Sequence, residues 1–334
     1  MLSTTKALAE GLLSCRRDAL AKAITLIESS LPAHNEQAVH LLEHLTKNKA
    51  PKLTSQGVRI GIAGPPGAGK STFIEKLGLH YVGTKSSKVA VIPVDPSSHI
   101  SGGSILGDKT RMGELSRSPN AYIRASPTRG MLGGIAEHTS DVIVLCEAAD
   151  FNTVIVESVG LGQSEVDIDA AVDMMILIVP PGGGDSLQAT KKGIMEAADL
   201  ILVNKADGDL FTSAKHTKAD YGGAMQFVRR KYDCWEPTVM MMSAHTGFNL
   251  DKVHEQIDLF HDTLNNEGLI EKKRAMQRRF WAMGQCKRAL YAKCEQLPGF
   301  QDNLDVIMHD LDQGRHTPRT AAMAIIDRLD IKFK

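Results

Sequence analysis

No apolar run in this sequence reaches the length of a membrane span, so no transmembrane segment is expected. Charge of either sign is not in surplus: Lys+Arg and Asp+Glu both total 39, and the net charge is zero. That balance argues against a general nucleic-acid or membrane-surface binder, and neither partner is expected. Cysteine is scarce. The five present (Cys15, Cys146, Cys234, Cys286, Cys294) form no CxxC pair and no clustered metal spacing. Cys146 and Cys294 sit in helical patterns and read as reduced core or interface thiols, for which a reducing cytoplasm is the simplest setting. The histidines are scattered, so no protein-bound transition metal is expected. The first residues, MLSTTKALAEGLLSCRRDAL, are too charged and too broken for a secretory signal. What is left is ordinary for a soluble globular chain: 334 residues, 43% apolar and 23% charged. That is enough for one large α/β domain with helical additions.

The pattern changes twice along the chain. Residues 1–50 read as helices; in NEQAVHLLEHL the apolar residues Ala38, Val39, Leu41, Leu42 and Leu45 keep helical spacing, with Asn35 as a candidate N-cap. From residue 58 short β-branched runs recur: VRIGIAG, KVAVIPVD, NTVIVES, DMMILIVPP, DLILVNKAD and PTVMMMSA. Amphipathic stretches separate them. Buried strands alternating with helices imply a largely parallel sheet covered on both faces. Such sheets bind ligands outside the carboxyl ends of their strands, where this sequence places its unusual residues. After about residue 250 the strand signal stops. Leu269, Met276, Met283, Leu290 and Leu297 then fall seven residues apart, joined by Phe280 and Cys294. This seam wants another helix, either of its own domain or of a second copy. The basic residues beside it (Lys272, Lys273, Arg274, Arg278, Arg279, Lys287, Arg288) read as a solvated face, with an acidic partner surface as the sharper alternative. Thr317-Pro318 is placed to start a final helix.

Residues 64–71, GPPGAGKS, match the phosphate-loop pattern between a strand and a helix. The amides of Gly64, Pro65, Pro66, Gly67, Ala68 and Gly69 form a segment that can curl around phosphate oxygens, proline excepted as a donor. Thr72 continues it at the helix N-terminus, whose dipole favours the anion. Lys70 is expected to reach the β- and γ-phosphates and Ser71 to ligate Mg²⁺. Residues 204–207, NKAD, choose the base. The Asp207 carboxylate can accept two hydrogen bonds from guanine, and adenine offers no such pair. Asn204 can tie neighbouring loops together, the Lys205 stem can cover the base, and backbone N–H groups at Ser243-Ala244, followed by His245, can meet the guanine carbonyl. Asp95 at a strand end and Asp108 on a glycine-rich loop are further candidate Mg²⁺ ligands, direct or through water. Glu157 can reach the same shell, and Gly160 can offer its N–H to the γ-phosphate; loss of that phosphate would free the loop. In Ras-type GTPases a glutamine follows the equivalent glycine and orients the attacking water. Here Leu161 stands there and Gln163 is displaced. Slow intrinsic hydrolysis, accelerated by a partner, is the expectation.

Taken together, GPPGAGKST, VDPSS, GDKTRM, SPTRG, ESVGLGQSE, PPGGGD and NKAD strongly resemble the methylmalonyl-CoA mutase-associated GTPases of the MeaB, MMAA and ArgK type. The resemblance runs essentially the full length. It implies an α/β P-loop NTPase with a mostly parallel sheet flanked by helices, preceded by a helical extension (1–50) and followed by a helical dimerisation arm. The GTPase domain would span 51–265 and the arm 266–334. It further implies a homodimeric, cytoplasmic enzyme that hydrolyses GTP and assists an adenosylcobalamin-dependent methylmalonyl-CoA mutase, gating cofactor loading and protecting the mutase. In this family the segment matching 180–192, PPGGGDSLQATKK, is an extra switch. Asp185, Gln188, Lys191 and Lys192 would be presented by it to nucleotide or mutase, lysine offsetting charge on the phosphates. Lys70, Glu157, Asp185 and Lys191 are thus the candidate catalytic set. Two other readings stand beside this one: a P-loop kinase or ATPase acting on a transport-related protein or small molecule, and a binding scaffold with incidental hydrolysis. No acceptor pocket for a kinase is marked, and Arg129 in SPTRG reads better as a phosphate or interface contact.

Overall fold

The structure is a computed structural model that describes residues 3–29, 31–53, 57–95, 112–127, 138–158, 168–182 and 192–328, with backbone alone at 3, 49–53, 95, 126–127 and 192. The β-branched runs pair as strands β1 (Val58–Ala63), β2 (Val89–Asp95), β5 (Thr153–Ser158), β6 (Met174–Val179), β7 (Leu200–Val203) and β8 (Thr238–Met241). Two short strands join them, β3 (Ala121–Ile123) and β4 (Ser126–Pro127). The sheet order is β3-β2-β5-β1-β6-β7-β8, with β4 beside β2, and the pairings are parallel. Parallel strands need helical crossovers on both faces, which is why β5 and β6 are buried along their whole length. In register, Ile60 of β1 lies between Ile155 of β5 and Met174 of β6. From β1 the chain crosses to β2, adds β3 and β4 beyond it, returns to β5 between β2 and β1, and then builds out on the other side of β1 through β6, β7 and β8. The reversal leaves a crevice at the carboxyl end of β1, the preferred ligand position in open α/β sheets.

One face of the sheet is covered by the helix Lys70–Thr84, through Phe73, Ile74 and Leu77, and by the helix Leu250–Asn266, through Val253, Ile257 and Phe260. Trp235 meets Phe260 edge-on with ring centres 5.0 Å apart. The N-terminal helices Ser3–Leu13, Arg17–Ile27 and Pro32–Leu53 pack with one another and on the helix Thr139–Ala148. The third begins at Pro32, three residues before Asn35, which lies inside it; proline at the first helical position, where its missing N–H has no partner to lose, wins over the expected cap. Cys146 is buried in the helix Thr139–Ala148, and burial raises its thiol above the usual range.

Two compact units are defined, Met1–Ala275 and Met276–Lys334. The three N-terminal helices are within the first.

At the amino ends of the strands lies a buried ionic cluster. Asp173, immediately before β6, receives paired hydrogen bonds from Arg274, Nε to Oδ1 at 2.8 Å and Nη2 to Oδ2 at 2.6 Å. The amide of Arg59 donates to the same carboxylate at 2.9 Å. Lys273 Nζ donates to Asp169 at 2.8 Å and to the Asp173 carbonyl at 3.0 Å. Lys231 joins Asp169 at 2.9 Å and Asp199 at 3.0 Å. Lys273 and Arg274 are therefore not part of a solvated basic face, as their charge run suggests. They are 9% and 1% exposed and hold the start of the helix Leu269–Glu295 to the sheet. Burial alone would raise Asp173, yet the Arg274 guanidinium and the Arg59 amide keep its carboxyl below the usual range.

The second unit contains the rest of that helix, Phe300–Asp312 and Pro318–Arg328, the last starting at the proline as the sequence predicts. Thr317 Oγ1 accepts the amide of Thr320, capping it. Within this unit Phe300, Ile307 and Ala321 are buried, whereas Met276, Phe280, Met283 and Leu290 are 54–60% exposed along one stripe.

Candidate functional site

The phosphate-loop residues leave β1 at the crevice and enter the helix Lys70–Thr84. The loop closes on itself: the Ala68 amide donates to the Pro65 carbonyl at 3.2 Å and the Phe73 amide to Gly69 at 3.0 Å. Pro66, Gly67 and Thr72 complete the turn and the helix start. Lys70 is buried, and its Nζ donates to the Gly64 carbonyl at 2.8 Å and the Pro65 carbonyl at 3.3 Å. A buried ammonium must be satisfied. Here the loop's own carbonyls do it, in the cradle where phosphate oxygens fit.

Ser71 Oγ lies 3.3 Å from Glu157 Oε1 at the carboxyl end of β5. A hydroxyl and a carboxylate from neighbouring elements are hard oxygen donors of the kind Mg²⁺ accepts, so these residues fit that ion. Asp95 ends β2, next to β5, and is described by its backbone only. Asp108, Gly160, Asp185 and Lys191 lie outside the described residues, as do Arg129, Leu161, Gln163 and Gln188.

The turn expected to read the base is joined directly to the phosphate-loop segment. Asn204, buried after β7, donates from Nδ2 to the Ala68 carbonyl at 2.8 Å. Its Oδ1 accepts the Ala244 amide at 3.0 Å. The approach is close enough that a Cβ on Gly69, whose φ is +90°, would lie 2.3 Å from Asn204 Nδ2. A side chain there is excluded twice, by backbone strain and by space. Lys205 follows with φ +56° and is exposed. Asp207, half-buried, accepts a hydrogen bond from Ser243 Oγ, which in turn accepts the Thr246 amide at 3.1 Å. Ser243 thus acts through its hydroxyl.

Both amides expected to meet the guanine carbonyl, those of Ser243 and Ala244, have partners within the protein. The Ser243 amide donates to the Phe248 carbonyl at 3.0 Å, and the Ala244 amide is taken by Asn204. His245 is the next residue of the turn and is exposed. An aromatic pair that the sequence reading missed ties the two base-side loops. Phe211 and Phe248 meet at 5.8 Å between ring centres. Their separation in sequence hides the pairing; only the parallel placement of β7 beside β8 brings them together.

A family model described as methylmalonyl Co-A mutase-associated GTPase MeaB matches residues 20–298. The chain is 40% identical over 322 residues to the mitochondrial methylmalonic aciduria type A homolog of Caenorhabditis elegans, covering 95% of this chain and 81% of that protein. It is 43% identical over 265 residues to the GTPase ArgK of Escherichia coli, covering 79% and 78% respectively. A crystal structure described as a LAO/AO transport system kinase superposes with a TM-score of 0.74 at 31% identity, covering 99% of both chains.

Proposed function

This chain belongs to the methylmalonyl Co-A mutase-associated GTPase family and is a GTPase, and from that premise we propose that it hydrolyses GTP to time its assistance to an adenosylcobalamin-dependent methylmalonyl-CoA mutase. The observation that carries the nucleotide part is the Asn204 bridge. One side chain spans the Ala68 carbonyl of the phosphate loop and the Ala244 amide of the base-side turn, so Asp207 and Lys70 face one ligand. In this reading Asp207 pairs with guanine and is aimed by Ser243. Lys70 exchanges the Gly64 and Pro65 carbonyls for phosphate oxygens. Ser71 and Glu157, with Asp95 and Asp108, would hold Mg²⁺, which would supply charge neutralisation to the bound phosphates. Gly160 offers its amide to the γ-phosphate. Asp185 and Lys191 act from the second glycine loop, Lys191 offsetting negative charge as the bond to the leaving phosphate lengthens. With Leu161 where a water-orienting glutamine stands in Ras-type enzymes, hydrolysis is slow until the partner binds.

The exposed stripe Met276, Phe280, Met283 and Leu290 supports a homodimer, because an uncovered row of large apolar side chains costs solvent-exposed surface that a second copy removes. The chemistry is tested with GTP carrying a labelled γ-phosphate, alone and with a cobalamin-dependent mutase. Release as free phosphate, faster with the mutase, is the expected result. Transfer to a protein or small-molecule acceptor would instead make the chain a kinase. Capture of the mutase that does not differ between GDP and a non-hydrolysable GTP analogue would sink the timing role.

A further inference from the structure

A cavity of about 240 Å³ opens at the amino ends of the strands, on the side of the sheet away from the phosphate loop. Val58 begins β1 there and Thr153 begins β5. Tyr81 and Lys85 close it from the carboxyl end of the helix Lys70–Thr84, and Asp258 and Asp262 from the helix Leu250–Asn266. At roughly 3.3 Å per residue, the 6 residues of β1 set it about 20 Å from the phosphate loop. The cavity is therefore no part of the nucleotide site.

Its inner wall carries hydroxyls. Tyr81, Ser87 and Thr153 are at most 7% exposed, and none of their hydroxyls has a hydrogen-bond partner among the described residues. Buried hydroxyls are ordinarily paired, so on a cavity wall the missing partner is whatever fills the cavity. Burial, then the Asp258 charge, hold the Tyr81 hydroxyl above its ordinary range. It stays protonated and can donate as well as accept. The open side is charged. Lys85 pairs with Asp258, and its Nζ lies 4.7 Å from the centre of the Tyr81 ring. The chain's own ammonium thus shows that a carboxylate and an aromatic face here accept a cation. Asp262 has only His261 Nδ1 near it, at 3.8 Å, too far for a hydrogen bond. With histidine neutral, two carboxylates against one ammonium leave this rim with a surplus negative charge.

The geometry points to this cavity as a binding site for a small organic monocation carrying several hydroxyl groups. Its ammonium pairs with Asp262 at the open side, and its hydroxyls reach Tyr81, Ser87 and Thr153 inside. An anion would meet the surplus negative charge, and an apolar molecule would leave the inner hydroxyls unpaired. A metal ion does not fit, because no group of three metal-ligating side chains gathers among the described residues.

Tris(hydroxymethyl)aminomethane has this chemistry. Pentaerythritol is its neutral counterpart, with one more hydroxymethyl group in place of the ammonium. Each is titrated into the full chain saturated with GDP, which fills the nucleotide site. Binding is read by ligand-detected magnetic resonance at about pH 7.5, where an ordinary histidine is neutral. The expected result is saturable binding of the amine, with the neutral compound about fivefold weaker, the effect of one partly exposed charge pair. Asp262→Asn brings the amine down to the level of the neutral compound. Tyr81→Phe, which removes only the hydroxyl, weakens both compounds about threefold. Melting temperatures of the two variants identify any loss that comes from unfolding, and Ser87→Ala then replaces a variant that fails to fold, with the same threefold weakening expected. Absence of saturable binding of the amine, equal binding of the two compounds, or native affinity in the folded variants overturns the inference.

Discussion

Asp207 sits half-buried with Ser243 Oγ on one carboxylate oxygen, so its aim is set before any base arrives. Exchange for asparagine replaces an acceptor by a donor. Asp207→Asn is expected to lose about 1.5–3 kcal/mol for GDP, roughly ten- to a hundredfold, and to gain for xanthine nucleotides, whose ring carries a carbonyl in place of the guanine amine. Calorimetric titration with both nucleotides reads this; retained preference for GDP would remove Asp207 from the base pocket. A second residue-scale prediction concerns acid. His254 stacks on His80 at 3.6 Å between ring centres, and neither of its ring nitrogens has a hydrogen-bond partner among the described residues. Burial, then the neighbouring His80, brings it down to about 4. The fold favours the neutral ring. Its contribution is complete above the unfolded value of about 6.5 and is lost as pH falls from there toward 4. Urea midpoints at pH 7 and pH 4.5 should converge more for His254→Phe than for the native chain. At this scale the sequence was legible where a short local motif fixes the geometry, as for Asn204, which ties neighbouring loops together as its motif implies. It was not for Lys273 and Arg274, whose acidic partners Asp169 and Asp173 lie about a hundred positions away in the chain. A run of bases reads as a wet surface until its distant acids are known.

Among the elements, the segment Leu269–Ala275 is held by charge rather than by apolar packing alone. Breaking one side of a buried pair leaves the other desolvated and unmatched. Arg274→Met is therefore expected to cost about 3–5 kcal/mol in urea unfolding, and Asp173→Leu added to it to recover much of that loss. Equal instability of the single and double variants would argue that the pair is incidental. Acid acts in the same sense: Asp173 is depressed, so its contribution is present above about pH 4 and is lost as pH falls through its folded value. The long parallel strands were readable because burial on both faces demands unbroken apolar runs, as in MMILIV. The edge strands β3 and β4, three and two residues long, leave no such trace and were missed.

For the molecule as a whole, the seven-residue spacing announced a seam. Its residues divide: Leu269 packs against the core of the first unit, whereas Met276, Phe280, Met283 and Leu290 stay exposed. Spacing alone cannot separate a face covered from within from one awaiting a second copy, since both need the same apolar period. Phe280→Glu combined with Met283→Glu should convert a dimer to a monomer in light scattering, with GDP affinity intact; a native chain that is already monomeric at micromolar concentration would end the dimer reading. The Asn204 bridge has a consequence of another kind. A guanosine fragment and a pyrophosphate fragment, too small to touch, would each stiffen the same strut and so promote one another's capture. Inhibitors assembled piecewise for this cleft should then gain more from joining their halves than the separate halves foretell.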